Sequence, residues 1–211
     1  MGIKIGAHID FLGGIVDSAF DPLEPEIKFV NNRFPVLSMT ANQAMRKRIE
    51  DVRQQGDSIG GEIECAITGV PAGLGEPMFG GVESRIAQIV YGIPAVKSLE
   101  FGAGKQVSYN LGSKINDCFT EENGEIKTAT NNCGGILGGI TNGMPIVVRC
   151  AVKPTPTIFK AQDTVDIISG DNVMTEPKGR HDPCVVPRAV PCVEAAANIA
   201  ILSHMLNYPN F

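Results

Sequence analysis

Thirteen residues limit this chain's fold more than any others: Asn131-Asn-Cys-Gly-Gly-Ile-Leu-Gly-Gly-Ile-Thr-Asn-Gly143, five of them glycine. No helix continues through such a stretch, because each glycine forfeits backbone entropy and offers no side chain to pack. The cluster therefore forms tight turns and close backbone packing, or it turns several N–H groups toward one point, as a concave anion site or a floor beneath a flat ring. It contains no Gly-Lys-Ser/Thr string, so it is not a P-loop, and no Gly-x-Gly-x-x-Gly dinucleotide fingerprint occurs.

Around the cluster, apolar periodicity sets the elements. Ile3 and Ile5 alternate within a strand from Gly2 to Ile9. The prolines and the Asn31-Asn32 pair between Phe11 and Ser38 predict a long loop. Thr40 and Gln43 have capping-box spacing before a helix carrying Met45, Ile49 and Val52, which Gly56 ends. Ile63, Cys65 and Ile67 alternate with Glu62, Glu64 and Thr68, predicting a strand with one solvated face. A second helix follows from Val82 to Gly92, then a strand from Val96 to Phe101. Asn123-Gly124 marks a hairpin, and Ile146 to Val152 alternate as a further strand. A weaker strand is expected around Val165 to Ile168. The last helix carries Val190, Val193, Ala197, Ala200, Ile201 and Leu206 on one face. Strands and helices do not alternate regularly, so the expected class is α+β with largely antiparallel sheets, as one domain over 1–211.

Composition narrows the function. With 43% hydrophobic residues and a net charge of -5, the chain builds a core and carries no basic run. Nucleic acid and anionic membrane are therefore not expected partners. No stretch has the uninterrupted apolar length of a spanning helix. Six scattered cysteines without a Cys-x-x-Cys pair predict reduced thiols in a cytoplasmic protein, with no metal site. His8 and His204 read as structural.

Two further segments join small residues to fixed polar groups. In Lys153-Pro-Thr-Pro-Thr157 the prolines hold the chain extended while an ammonium and two hydroxyls remain as donors, a grip for phosphate or simply an edge-strand terminus. In Gly179-Arg-His-Asp-Pro183, Arg180 offers a planar fork and Asp182 a base or proton carrier. The alternative is that Asp182 caps the last helix, beside a surface Arg180 and His181.

These three segments resemble chorismate synthase. The glycine cluster is similar to that family's Gly-Gly-Ile-Leu-Gly-Gly-Ile stretch, Lys153-Pro-Thr to its Lys-Pro-Thr segment, and Gly179-Arg-His-Asp-Pro-Cys184 with Arg188-Ala-Val-Pro191 to its C-terminal signature. Gly56-Asp-Ser-Ile-Gly60, Gly69 to Pro77 and Ala95-Val-Lys97 also fit, with Pro94 where the family commonly has Asn. The resemblance is to the C-terminal part of the family; its N-terminal Gly-Glu-Ser-His-Gly motif and arginine-rich flavin loop have no counterpart here. The resemblance implies an FMN-dependent anti-1,4-elimination of phosphate from 5-enolpyruvylshikimate 3-phosphate, giving chorismate. It implies reduced FMN against Pro94, Ala95 and Gly138, its phosphate and ribityl arm on Lys153, Pro154, Thr155, Pro156 and Thr157, and Arg180 reaching flavin and substrate phosphate. Asp182 would handle a proton near flavin N5. The implied fold is a β-α-β sandwich with helices packed between sheets, in a homotetramer. A non-catalytic relative, serving as a binding or assembly subunit or as half of a split enzyme, is the alternative.

Overall fold

The computed structural model describes residues 2–27 and 34–207. The strands and helices are β1 (Lys4–Leu12), β2 (Ile15–Val16), α1 (Met39–Gln54), β3 (Gly61–Thr68), α2 (Val82–Val90), β4 (Val96–Phe101), α3 (Gly112–Ile115), β5 (Phe119–Glu122), β6 (Glu125–Thr128), β7 (Ile136–Leu137), β8 (Ile140–Thr141), β9 (Ile146–Val152), β10 (Gln162–Val165), β11 (Asn172–Thr175) and α4 (Val186–Asn207). Five strands form one antiparallel sheet in the order β2-β1-β3-β9-β4, and β5-β6, β7-β8 and β10-β11 are separate hairpins. The α+β class with antiparallel sheets is observed.

Register gives this sheet two unlike faces. Ile9 lies opposite Ile63, Ile63 opposite Cys150, and Cys150 opposite Leu99, an apolar row in the core. One residue along, His8 lies opposite Glu64, Glu64 opposite Arg149, and Arg149 opposite Glu100. The solvated face expected for β3 is a correction: Glu64 and His8 are fully buried. Residues 17–20 cover them, with the Phe20 ring edge-on to the His8 ring at 4.7 Å.

α4 lies across β1 and β3 and against α2. Ala189, Ala196, Ala197 and Ala200 form much of its buried side, so its backbone approaches the sheet closely. Glu194 accepts the Ala7 N–H at 2.9 Å, and the Pro35 carbonyl accepts that of Ile9 at 2.8 Å. Two donors of β1 are thus satisfied where the two-residue β2 does not reach. α4 begins at Val186, earlier than its apolar stripe suggested, because Pro191 is accommodated inside it. By length and composition α4 is apolar enough to cross a membrane, contrary to the sequence expectation. Its Ala-rich side is nonetheless core, while Ile199, Leu202 and Leu206 face outward. Leu206, expected on the buried face, is exposed.

Several boundaries move. The chain expected as loop from Phe11 includes the end of β1 and all of β2; Asn31-Asn32 lies outside the described residues. Ser38, not Thr40, caps α1, accepting the Ala41 N–H. At the other end Gly56 (φ +68°) closes a Schellman turn, with Gly56 N–H to Arg53 O and Asp57 N–H to Val52 O. The strand expected at 165–168 lies earlier, at Gln162–Val165, and Ile167 and Ile168 occupy the exposed β10–β11 turn.

Candidate functional site

The glycine cluster is a two-residue hairpin. β7 and β8 are joined by Gly138 (φ +60°) and Gly139 (φ +85°), a twist that suits the flanking strands and that glycine adopts freely. Ahead of it, Gly134 and Gly102 bring two backbones together: a Cβ on Gly102 would lie 2.4 Å from Gly134 N. The N–H groups entering the cluster do converge on an anion, but the anion is this chain's own. Asp117 accepts from Asn132 N at 2.7 Å, Cys133 N at 2.8 Å and the Thr130 hydroxyl at 2.7 Å. Burial alone would raise the Asp117 carboxyl, yet these bonds together bring it below its ordinary value. The hollow anion site expected at the cluster is thus filled by a side chain.

At the far end of β4 and β9 the other candidates meet. β9 runs into Lys153, whose N–H donates to the Ala95 carbonyl at 2.9 Å. Ala95 itself has φ +74°, a left-handed conformation that costs a non-glycine residue energy and marks the bend from α2 into β4. The turn after α1 braces the next residues. Ser58 Oγ donates to Thr155 O at 2.6 Å, Phe159 N–H to Gly56 O at 2.9 Å, and Lys160 Nζ pairs with Asp57 at 2.5 Å. Gly60 fits beneath, where a Cβ would stand 2.4 Å from Val152 O and 3.0 Å from Pro154 N. The same turn holds the Arg180–Asp182 corner, since Ile59 N–H donates to Pro183 O at 2.8 Å and the His181 and Phe159 rings lie 5.1 Å apart. Asp182 does not cap α4; both its oxygens accept from the Arg188 fork, at 2.6 and 3.0 Å.

The polar inventory here is incomplete in a way that favours a ligand. Thr155 Oγ1 and His181 Nε2 are buried without a hydrogen-bond partner. Among the described residues, Lys153 and Arg180 have no ion-pair partner. The orphaned hydroxyl and imidazole nitrogen, with the exposed Lys153 and Arg180 in the same two segments, are groups that a phosphate-bearing ligand would use.

Gly138 stands apart from this end. Gly139 O accepts the first N–H of α2, whereas Ala95 follows that helix's C-terminus, so the nine residues of α2 separate them by about 14 Å. Nothing would touch a Cβ on Gly138, so the space above it is open, beside Leu99 and Phe101. Sequence reasoning singled out neither Ser58 and Gly60 as braces nor Arg188 as the partner of Asp182, although the Gly56–Gly60 and Arg188–Pro191 strings contain them.

Comparison with known proteins identifies the family. The family model described as chorismate synthase matches residues 1–206. The chorismate synthase of Methanosarcina acetivorans is 43% identical over 208 residues, covering 97% of this chain and 56% of the relative. That of Thermococcus gammatolerans is 42% identical over 205 residues, covering 97% and 57%. A crystal structure of chorismate synthase superposes with a TM-score of 0.71 at 29% identity, over 98% of this chain and 58% of that one. The chain spans a little over half the length of the curated relatives it matches.

Proposed function

Because the chain belongs to the chorismate synthase family, we propose that it serves the FMN-dependent elimination of phosphate from 5-enolpyruvylshikimate 3-phosphate, which yields chorismate. The observation that carries this reading is the buried, unpartnered Thr155 Oγ1 and His181 Nε2, beside Lys153 and Arg180 without ion-pair partners, on a backbone braced by the turn after α1 and by Ala95.

Those residues fit a flavin mononucleotide. Lys153 and the Thr155 and Thr157 hydroxyls would hold its phosphate and ribityl arm, with Pro154 and Pro156 keeping that strand extended. Pro94 and Ala95 would lie against it, and Gly138 would approach it from the glycine cluster. When bound, the reduced flavin supplies a transiently lent electron, with no net redox change. Arg180, kept free of carboxylates, stabilises negative charge growing on the leaving phosphate. Asp182 takes the proton on a carboxylate oxygen, and the Arg188 fork fixes where that carboxylate points. The bent Ala95 and the braced Lys153–Thr157 strand fix these groups before any ligand arrives, so little reorganisation is needed.

The apolar outward side of α4, with Ile199, Leu202 and Leu206, supports helices packed between protein layers and a homotetramer. The reading includes a single domain over 1–211 and a cytoplasmic setting, which six free cysteines suit.

The test is anaerobic incubation of the protein with reduced FMN and 5-enolpyruvylshikimate 3-phosphate. Inorganic phosphate and chorismate should appear in equal amounts, slowly because the family's N-terminal motifs have no counterpart in this chain, and Asp182→Asn should stop both. Phosphate release without chorismate, or turnover unchanged in Asp182→Asn, would overturn the assignment. A protein that binds reduced FMN and never turns over would instead fit the assembly-subunit reading.

A further inference from the structure

Away from the flavin end, the polar face of the sheet buries a second group of charges. His8 Nδ1 lies 3.2 Å from Asp17 Oδ2 and 3.2 Å from the Ile9 carbonyl, both acceptors, so this nitrogen carries a proton. Asp17 is itself fixed by the N–H groups of Leu37 and Ser38. The other ring nitrogen, Nε2, faces Glu64 Oε2 at 3.0 Å, and an Asp10 carboxylate oxygen completes a set whose ligand atoms all lie within 4.8 Å of one another.

We propose that His8 Nε2, Glu64 Oε2 and an Asp10 carboxylate oxygen form a binding site for one divalent first-row transition-metal ion, separate from the flavin end of the sheet. Three features support it. The first is spacing: two ligands on adjacent vertices of an octahedron, each about 2.1 Å from a metal, stand about 3.0 Å apart, which is the observed His8–Glu64 separation. The second is the arrangement behind the histidine. A carboxylate that accepts the Nδ1 proton and turns Nε2 outward is the usual support for a metal-bound imidazole, and Asp17 occupies that place. The third is charge. Asp10 and Glu64 face the guanidinium of Arg149 and Asp17 the His8 ring, while Glu62, Glu100 and Lys105 line the adjoining pocket.

Arg149 limits the geometry rather than blocking it. Its Nη2 holds Glu64 Oε1, which leaves Oε2 to bind the ion in monodentate fashion while accepting the Phe20 N–H at 2.7 Å. One imidazole and two carboxylates favour manganese, iron, cobalt or zinc over calcium or magnesium. The ion would take the place of the hydrogen bond between Nε2 and Glu64, with Nε2 as its ligand. The ion would join β1 to β3 and hold residues 17–20 over the sheet.

The probe is Co²⁺, titrated into the full chain after treatment with chelator. The expected result is one Co²⁺ per chain with visible d–d bands and no thiolate charge-transfer band. Asp10→Asn should weaken binding at least tenfold without changing the melting temperature of the metal-free protein, since the nearest charged partner of Asp10 is Arg149 at 3.9 Å. Asp17→Asn should weaken it about 10- to 100-fold. Because His8 is fully buried and its replacement disturbs the fold, the Asp10 variant decides. No stoichiometric binding, equal affinity in Asp10→Asn, or a thiolate band would overturn the site.

Discussion

Gly60→Ala tests how strictly the Lys153–Thr157 end of the sheet is packed. Gly60 does not have a positive φ, so backbone strain plays no part; the cost is purely steric. The added Cβ would stand 2.4 Å from Val152 O, about 1 Å inside a normal carbon contact. It would also stand 3.0 Å from Pro154 N, so both obstacles are backbone and neither swings aside. Val152 is paired with both Gly61 and Val96 in the sheet, which leaves the strand little room to retreat. Overpacking against fixed atoms costs about 1–3 kcal/mol, here near about 3. For a chain of this size that lowers the melting temperature by about 6–12 °C. Because relief comes from shifting Lys153–Thr157, FMN affinity should fall as well. Thermal unfolding followed by circular dichroism gives the first number and flavin titration the second. Gly112→Ala, where nothing lies within 4 Å, is the control and should stay within about 0.5 kcal/mol. A Gly60→Ala protein as stable as that control would refute the argument.

Asp117→Asn should destabilise by about 2–4 kcal/mol, since an amide cannot accept all three of its donors. The Asp117 carboxyl is lowered on folding, so its contribution is present above the unfolded carboxylate range and lost as pH falls through the folded value. Acid titration of stability should therefore be shallower in Asp117→Asn than in the wild type below about pH 4. With a thiol reagent near neutral pH, exposed Cys118 and Cys192 should label quickly. Burial pushes Cys150 up to about 12 and Cys184 to about 11, and also raises Cys65 and Cys133, so these four should label more slowly, and the buried Cys65 and Cys150 only on unfolding. Mass spectrometry of partly labelled protein distinguishes the two groups.

Local patterns carried most of the fold. Asn123-Gly124 indicated its hairpin because only residues tolerant of positive φ make that turn, and both have it. The alternation in Ile63, Cys65 and Ile67 gave the core face of β3. It could not show what lies on the other side: Glu64 looks solvated until Phe20 and Asp17, far along the chain, cover it. For the same reason His8 read as a lone structural histidine, whereas its carboxylate partners come from β3 and from the segment after β2. The glycine cluster was legible as chemistry or as turns, and only tertiary packing showed Asp117 filling its N–H nest. The Lys153–Thr157 and Arg180–Asp182 strings stood out in the sequence, but their meeting depends on the turn after α1, whose role as a brace has no local signature.

The most direct measurement is an FMN absorbance titration of the wild-type protein beside Lys153→Ala, Arg180→Ala and Thr155→Val. The proposed site predicts saturable binding to the wild type, weakened at least tenfold in the lysine and arginine variants and less in Thr155→Val, with the melting temperatures of all four alike. Equal affinity across the set, with FMN bound as tightly after both cations are removed, would contradict it.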